Sequence, residues 1–271
     1  MSFTINRLAI DDVSLAWARA GGDSPHPLLF LHGLGDSSLM TFDRIASHPL
    51  LAGRAAILVD LPGFGSSTAP AGWPGTIEAH ADAVFALLDT LHVPEVTIVG
   101  HSMGASLAIV IAMRQPQRID RLVLAEPLLV REHSELAKAI AKRREDQFME
   151  HGYEMLLMAT RRRARRGDKA AIGFLAPLER ASPAILYRSA ASLLAARSPS
   201  FLDMLGMLEM PRVLLVGERT TVDLTIVPKD IPVIRVPDAG HSMMSENPEG
   251  FVQAIASALP AGGRTSEPGS A

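Results

Sequence analysis

The sequence predicts an α/β fold with a mostly parallel, eight-stranded sheet and helices on both of its faces. Short apolar runs alternate with longer stretches in which apolar residues recur at helical spacing. The central runs are apolar throughout, which is typical of strands that are buried on both faces. A third observation is a long segment without strand patterns, residues 127–210, which predicts a helical insertion between two core strands.

Eight segments have the composition of strands and four others that of core helices. Asp11 and Asp12 alone separate the first two strands, which predicts an antiparallel hairpin at one edge of the sheet. The predicted strands are residues 4–10, 13–18, 28–31, 56–59, 96–99, 122–125, 213–216 and 233–236. The predicted helices are residues 39–46, 77–91, 103–114 and 248–259.

The segment 127–210 is rich in Ala, Leu, Met, Arg and Glu, which are good helix formers. We expect it to form a helical lid, or cap, over the carboxyl edge of the sheet, where open α/β sheets bind their ligands. The predicted core is therefore residues 1–126 and 211–259. The last segment, 260–271, consists largely of Gly, Ser, Pro and Thr and is predicted to be disordered.

Composition excludes several classes of function. The net charge of −3 gives no electrostatic reason to bind nucleic acid or an anionic membrane. The chain has no cysteine, which excludes disulfides, a thiol nucleophile and thiolate metal sites. Its first residues do not resemble a signal peptide, and no apolar run approaches the roughly 20 residues that span a bilayer. We therefore expect a cytoplasmic protein.

The strongest chemical motif is GHSMG at residues 100–104, which fits the pattern G-x-S-x-G. It follows a predicted strand and precedes a predicted helix, as a nucleophile elbow requires. A chance match in a glycine-containing turn is the alternative, and the strand–turn–helix context argues against it. The motif predicts that Ser102 is a catalytic nucleophile.

A serine nucleophile needs a neighbouring base, because its alkoxide is inaccessible at neutral pH. Among the nine histidines, His241 follows the last predicted strand in a glycine-containing loop, and it comes after the serine in the chain. The turn at residues 32–35 adds backbone N–H groups after the third strand. We expect the N–H groups of Leu34 and Met103 to form an oxyanion hole, and His32 to brace this loop by hydrogen bonding.

Four motifs together resemble those of the α/β-hydrolase superfamily: HGLG at 32–35, DLPGFGSS at 60–67, GHSMG at 100–104 and GH at 240–241. The resemblance covers residues 3–259 and implies the α/β-hydrolase fold with a serine–histidine mechanism. Serine at the elbow argues against haloalkane dehalogenases and the usual epoxide hydrolases, which have aspartate there. It favours esterases, lipases, thioesterases, lactonases and C–C bond hydrolases.

The sequence identifies the acid that would orient His241 less clearly than it identifies the nucleophile and the base. In the superfamily it usually follows the strand that ends here at residue 216, yet Thr220 stands where the aspartate is expected. Some members place the acid after the preceding strand, and Glu126 occupies that place, 24 positions beyond the nucleophile. We predict Glu126 as the acid, with Asp223 as the second choice, Glu218 as the third, and a dyad without an acid as the remaining alternative.

Other ligand motifs are missing from the sequence. The pattern G-x-G-x-x-G fails at Ser38 and at Thr68, and no metal-binding spacing of His and Asp occurs. We therefore expect neither a cofactor nor a metal. The run RRRARR at 161–166 has two interpretations: a site that steers an anionic substrate, or a solvated helix end that stops at Gly167.

These residues predict a serine hydrolase that acts by acyl transfer on a small or medium carboxylic ester. Thioesters, lactones and C–C bonds next to a ketone are alternative substrates of the same residues, and a cofactor-free perhydrolase or haloperoxidase is an alternative activity. A ligand-binding protein that keeps the fold without catalysis is the alternative from another class. The intact pair of Ser102 and His241 argues against it. The sequence leaves the oligomeric state open.

Overall fold

The chain forms one eight-stranded sheet in a computed structural model that describes residues 3–22, 24, 26–130, 134–221 and 223–260. The strands are β1 (Asn6–Ile10), β2 (Val13–Ala20), β3 (Leu28–Leu31), β4 (Ala56–Val59), β5 (Val96–His101), β6 (Ile119–Ala125), β7 (Arg212–Gly217) and β8 (Val233–Val236). Their order is β1-β2-β4-β3-β5-β6-β7-β8, with β2 antiparallel to β1 and β4 and all other neighbours parallel. This confirms the predicted fold class.

Helices fill most connections between the strands. Those of the core are α1 (Ser38–Thr41), α2 (Asp43–Ala46), α3 (Ile77–Thr90), α4 (Met103–Arg114), α11 (Met243–Glu246) and α12 (Pro248–Ala258). Between β6 and β7 lie α5 (Glu135–Ala141), α6 (Glu145–Gln147), α7 (Tyr153–Arg165), α8 (Lys169–Leu178), α9 (Pro183–Leu194) and α10 (Phe201–Met207), with a π-helical turn, Phe148–Gly152, before α7. Short 3₁₀ turns occur at Pro49–Leu51, Pro116–Arg118 and Leu224–Ile226.

Alternate residues of the central strands face two apolar cores, one on each side of the sheet. In β3, Leu29 and Leu31 belong to the core that includes α3, α4 and the helices between β6 and β7. Leu28 and Phe30 belong to the other core, which includes α2 and α12. Because the side-chain period of a strand is two residues, burial of both faces requires the continuous apolar runs seen in the sequence.

One predicted helix is divided in the structure, and almost all of the predicted disordered tail lies outside the described residues. The predicted helix 39–46 is two short helices, because Phe42 leaves the helical conformation (φ −107°, ψ 4°), ends α1 and begins α2. Of the predicted disordered tail 260–271, all but Pro260 lies outside the described residues. Among the helices of the described residues, none combines the length and the apolar character needed to span a membrane.

Candidate active site

Ser102 occupies a tight turn between β5 and α4, with φ 52° and ψ −115°. A non-glycine residue rarely adopts a positive φ, so the surrounding structure must hold this turn. A Cβ atom at Gly100 would lie 2.6 Å from the carbonyl oxygen of Gly104, and one at Gly104 would collide with the Leu31 carbonyl. These glycines let α4 begin directly behind Ser102, which lines a cavity at the carboxyl edge of the sheet.

Glu126 and His241 meet at this same edge, after β6 and β8. Glu126 Oε2 lies 3.7 Å from His241 Nδ1, an ion-pair distance that is longer than a hydrogen bond. The Glu126 side chain is only 3% exposed, whereas the His241 side chain is 55% exposed. An accessible imidazole therefore lies against a buried carboxylate, and both residues line the cavity that contains Ser102.

The Glu126 carboxylate is held by the neighbouring strand. Its Oε1 accepts a hydrogen bond from the backbone N–H of Gly217 at 2.9 Å, and its own N–H donates to the Leu215 carbonyl at 3.0 Å. The backbone of Glu126 also has a positive φ, 49°. One carboxylate oxygen is thus fixed at the end of β7, and the other, Oε2, is the one nearest His241.

The alternative carboxylates have other partners in the described part of the chain. Asp223 Oδ1 accepts hydrogen bonds from the N–H and the hydroxyl of Thr225, at 2.9 and 2.6 Å, and Asp223 does not line the cavity. Glu218 is exposed and accepts from the Asp238 N–H at 3.1 Å. Thr220 lines the cavity where the aspartate was expected. The geometry therefore favours Glu126.

The predicted oxyanion groups lie on two neighbouring segments. Leu34 follows β3 and lines the cavity, and Met103 is the first residue of α4. The first N–H groups of a helix lack an intrahelical acceptor. No described residue accepts a hydrogen bond from the N–H of Leu34 or of Met103, so both groups can bind an oxyanion.

His32 braces the loop that carries Leu34. Its Nδ1 donates to the Gly33 carbonyl at 2.8 Å, and its Nε2 accepts from the Leu61 N–H at 2.9 Å. A carbonyl acceptor on one side and an amide donor on the other require the neutral tautomer with its proton on Nδ1. The fully buried ring thus ties the loop after β3 to the end of β4.

Sequence reasoning assigned no role to His101, the residue before Ser102. Its Nε2 donates to the His241 carbonyl at 2.8 Å, and the two rings lie 4.9 Å apart. Burial, with a smaller contribution from His241, lowers the pKa of His101 to about 3, so the ring is neutral. His101 therefore links the nucleophile turn to the loop of the base. The only sequence signal for it was a histidine directly before the nucleophile.

The cavity has a volume of about 680 Å³, which lies within the usual range for small-molecule sites. Ser102, Glu126 and His241 line it from the core, and α5, α7, α8 and α9 contribute further wall residues. The larger apolar residues of the wall are Leu34, Leu128, Leu136, Leu156, Phe174, Leu193 and Met244. The arrangement encloses the apolar part of a ligand next to the polar groups.

The arginine run ends α7, and its ion pairs are local. Arg163 lines the cavity, but its Nε and Nη2 both lie 2.8 Å from Asp168 Oδ2. Arg161 pairs with Glu179 at 3.0 Å. Gly167 follows the helix with φ 83°, as a helix C-terminus requires. The structure therefore supports the helix-end interpretation of this run.

Within the described residues, no group of three or more His, Asp or Glu side chains is placed to hold a metal ion.

Comparison with known proteins agrees with the observed fold. A sequence profile described as the alpha/beta hydrolase fold matches residues 26–156. The structure of a thermophilic esterase from Thermogutta terrifontis superposes with a TM-score of 0.77 at 23% identity, covering 94% of this chain and 97% of that one. The profile match and the superposition show that the chain has the α/β-hydrolase fold.

Curated relatives match a shorter part of the chain. A dihydrolipoyllysine-residue acetyltransferase component of an acetoin cleaving system from Pseudomonas putida is 38% identical over 111 residues, which is 41% of this chain and 29% of that protein. A 2-hydroxymuconate semialdehyde hydrolase from a Pseudomonas strain is 33% identical over 99 residues, 36% of this chain and 35% of that protein. The matched segments thus span about a third of these relatives.

Proposed function

We propose that this protein is a serine hydrolase that cleaves a carboxylic ester by acyl transfer, with Ser102 as nucleophile, His241 as base and Glu126 as acid. The observation that carries the proposal is the Glu126–His241 pair, 3.7 Å apart, on the wall of the cavity that Ser102 also lines. A buried carboxylate beside an accessible histidine and a strained serine is typical of a catalytic site.

The first half of the proposed reaction forms an acyl-enzyme. Ser102 Oγ attacks the ester carbonyl carbon and passes its proton to Nε2 of His241, because Nδ1 faces Glu126. The carbonyl oxygen becomes an oxyanion and accepts hydrogen bonds from the N–H groups of Leu34 and Met103. Collapse of this intermediate breaks the ester bond, and the leaving alcohol takes the proton from His241.

The second half resolves the acyl-enzyme with water. His241 takes a proton from the water, the resulting hydroxide attacks the acyl carbon, and the proton returns to Ser102 as the acid product leaves. The Glu126 carboxylate stabilises the imidazolium that forms in both halves and keeps its Nδ1–H directed away from the substrate. Since Glu126 is buried, its charge acts in a poorly solvated setting, where it is more effective than in water.

Residues 127–210 are proposed to act as a cap that selects the substrate. Their helices contribute Leu136, Leu156, Phe174 and Leu193 to the cavity wall. An apolar wall of this kind suits the alkyl part of an acyl group or of an alcohol. We propose no cofactor, nucleic acid or membrane as a partner; the partner is a small acyl substrate.

C–C bond hydrolysis is the second candidate activity. It is favoured by the 33% identity to a protein named 2-hydroxymuconate semialdehyde hydrolase. The same residues could also serve a thioester, a lactone or a perhydrolase reaction. One cation of the described cavity wall, Arg163, is already paired with Asp168, which favours an uncharged ester over a substrate that needs a free arginine.

A panel of p-nitrophenyl esters of increasing acyl length tests the proposal. We expect turnover of the short and medium esters, and a loss of several orders of magnitude in kcat for Ser102→Ala with unchanged folding by circular dichroism. If the folded wild-type protein turned over none of these esters, or if Ser102→Ala kept most of the activity, the ester hydrolase proposal would be wrong. The ligand-binding alternative predicts the first of these outcomes.

A further inference from the structure

Asp36 is a buried acid in the wall of the same cavity, and the proposed reaction does not use it. It lies two residues beyond Leu34, in a turn closed by the hydrogen bond from its N–H to the Gly33 carbonyl at 3.2 Å. Asp36 is only 7% exposed, and it lines the cavity together with Thr41. A carboxyl group is costly to bury in this way unless its oxygens are used.

Only one of its two oxygens has partners. Asp36 Oδ1 accepts hydrogen bonds from the Ser37 N–H at 2.8 Å and from the Thr41 hydroxyl at 2.6 Å. Oδ2 accepts no hydrogen bond from any residue that the structure describes. It is also not one of the fully buried polar atoms that lack a partner, so part of its surface is exposed. The unpartnered oxygen is therefore the one that remains accessible to a bound molecule in the cavity.

The neutral form of Asp36 carries its proton on that accessible oxygen. Burial raises the pKa of Asp36, and the Asp60 carboxylate adds a smaller rise; the hydrogen bonds from Thr41 and Ser37 oppose burial less strongly. Because both donors already point at Oδ1, a proton on the carboxyl group is placed on Oδ2. The protonated acid thus presents an O–H donor to the cavity that Leu34 also lines.

We propose that Asp36 is a substrate-binding residue whose Oδ2–H donates a hydrogen bond to a second oxygen of the substrate, distinct from the oxygen of the scissile carbonyl. This deepens the proposed function and rests on it. The substrate class it names is an ester with a second neutral oxygen acceptor, such as a ketone, rather than a plain alkyl ester. The expected gain is about tenfold in kcat/KM, the effect of one net hydrogen bond.

The test compares p-nitrophenyl alkanoates with keto-esters of the same length, with the ketone moved along the acyl chain. Wild-type protein is expected to prefer at least one keto-ester by about tenfold. Asp36→Asn keeps an oxygen for the Ser37 and Thr41 donors and places an N–H₂ donor where Oδ2 was, so it should keep the preference. Asp36→Leu should lose it, and Asp43→Asn, outside the cavity, is the matched control.

The pH dependence of the preference distinguishes a protonated Asp36, which donates a hydrogen bond, from an ionised Asp36, which can only accept one. Raising the pH through the pKa of Asp36 ionises this group, so the preference of the wild-type protein should fade as the pH rises, while that of Asp36→Asn should not. The proposal is overturned if Asp36→Asn loses the preference, if the preference of the wild-type protein does not fall with rising pH over the range in which it stays folded, or if no keto-ester is preferred. Calorimetry on Ser102→Ala measures the binding of the intact esters without turnover. It therefore tests the preference for keto-esters even if the protein does not hydrolyse esters, so failure of the hydrolase proposal is distinguishable from failure of this one.

Discussion

The proposed nucleophile and the proposed acid both have a positive φ, which non-glycine residues rarely adopt. Ser102, Glu126 and Asp238 have φ of 52°, 49° and 50°, and they follow β5, β6 and β8. Such conformations cost on the order of 1–3 kcal/mol each for residues with a side chain. Ser102 and Glu126 are the proposed nucleophile and acid, and Asp238 begins the turn that leads to His241. The close-packed sheet around them maintains these conformations.

Glu126→Gln tests the choice of the acid. The variant keeps Oε1 as the acceptor of the Gly217 N–H but removes the charge beside His241. We expect kcat to fall by about 10³–10⁴, as when a buried triad carboxylate is neutralised. Asp223→Asn is the matched control and should cost little. If kcat fell in Asp223→Asn and stayed high in Glu126→Gln, the acid would be Asp223.

His101 is expected to act as a positioning residue through the backbone of His241. His101→Leu removes the donor to the His241 carbonyl, so kcat should fall by about tenfold or more while KM changes little. His101→Gln offers an amide donor and should restore most of the activity. Because the pKa of His101 is about 3, neither change removes a charge near His241. The acid limb of the pH–rate profile should therefore stay in place. Equal activity of the Leu and Gln variants would contradict this role.

At the scale of secondary structure, the strands could be predicted from sequence because burial on both faces leaves an unmistakable apolar pattern. Every predicted strand has a counterpart, whereas the helix predicted at 39–46 is broken at Phe42. The break is a change of backbone angles at one buried residue, which the periodicity of apolar residues does not report. The order of the strands and their register also depend on long-range pairing, and the sequence predicts them only through the superfamily resemblance.

The wall formed by α7 provides a sharp test of substrate selection. Leu156 lines the cavity, while the adjacent Met155 is 51% exposed. Leu156→Trp should narrow the cavity and lower kcat/KM for the longest accepted p-nitrophenyl esters by about tenfold, with little effect on the acetate ester. Met155→Trp adds the same volume one residue away and should leave chain-length preference unchanged. A similar shift in both variants would show that α7 does not select the acyl group.

At the scale of the whole molecule, the parallel sheet brings together residues that are far apart in the chain. Ser102, Glu126 and His241 each follow the carboxyl end of a strand, and those ends share one edge. The motifs alone therefore predict Ser102 as nucleophile and His241 as base, the roles that we propose for them. The acid required a choice among carboxylates, because its loop departs from the superfamily pattern at Thr220. His101 and Asp36 escaped prediction, since their roles depend on burial and on hydrogen bonds that no motif encodes.

Stability should decrease in mild acid because two buried histidines are neutral. Burial lowers the pKa of His80 and of His101 to about 3, from 6.5. Below pH 6.5 the unfolded chain binds protons that the folded chain does not, so the free energy of unfolding falls as pH falls toward 3. The loss at pH 5 is roughly 2 kcal/mol for each histidine.

Urea denaturation at pH 7 and pH 5 measures this loss. His80→Gln keeps a donor to the Ser189 hydroxyl, which His80 Nε2 contacts at 2.9 Å, and removes one titrating group. Its free energy of unfolding should depend less on pH than that of the wild-type protein, by about half of the two-histidine effect. An identical pH dependence in the two proteins would mean that His80 does not titrate differently on unfolding.

The central claim is that Ser102 is a nucleophile activated by His241 and Glu126. Intact-protein mass spectrometry after treatment with a fluorophosphonate, followed by peptide mapping, tests it without knowledge of the substrate. We expect a single adduct on Ser102, no adduct in Ser102→Ala, and much slower labelling of His241→Ala and Glu126→Gln, because both variants lack part of the activating pair. Folded wild-type protein that takes up no label, or an adduct on another residue, would contradict the account.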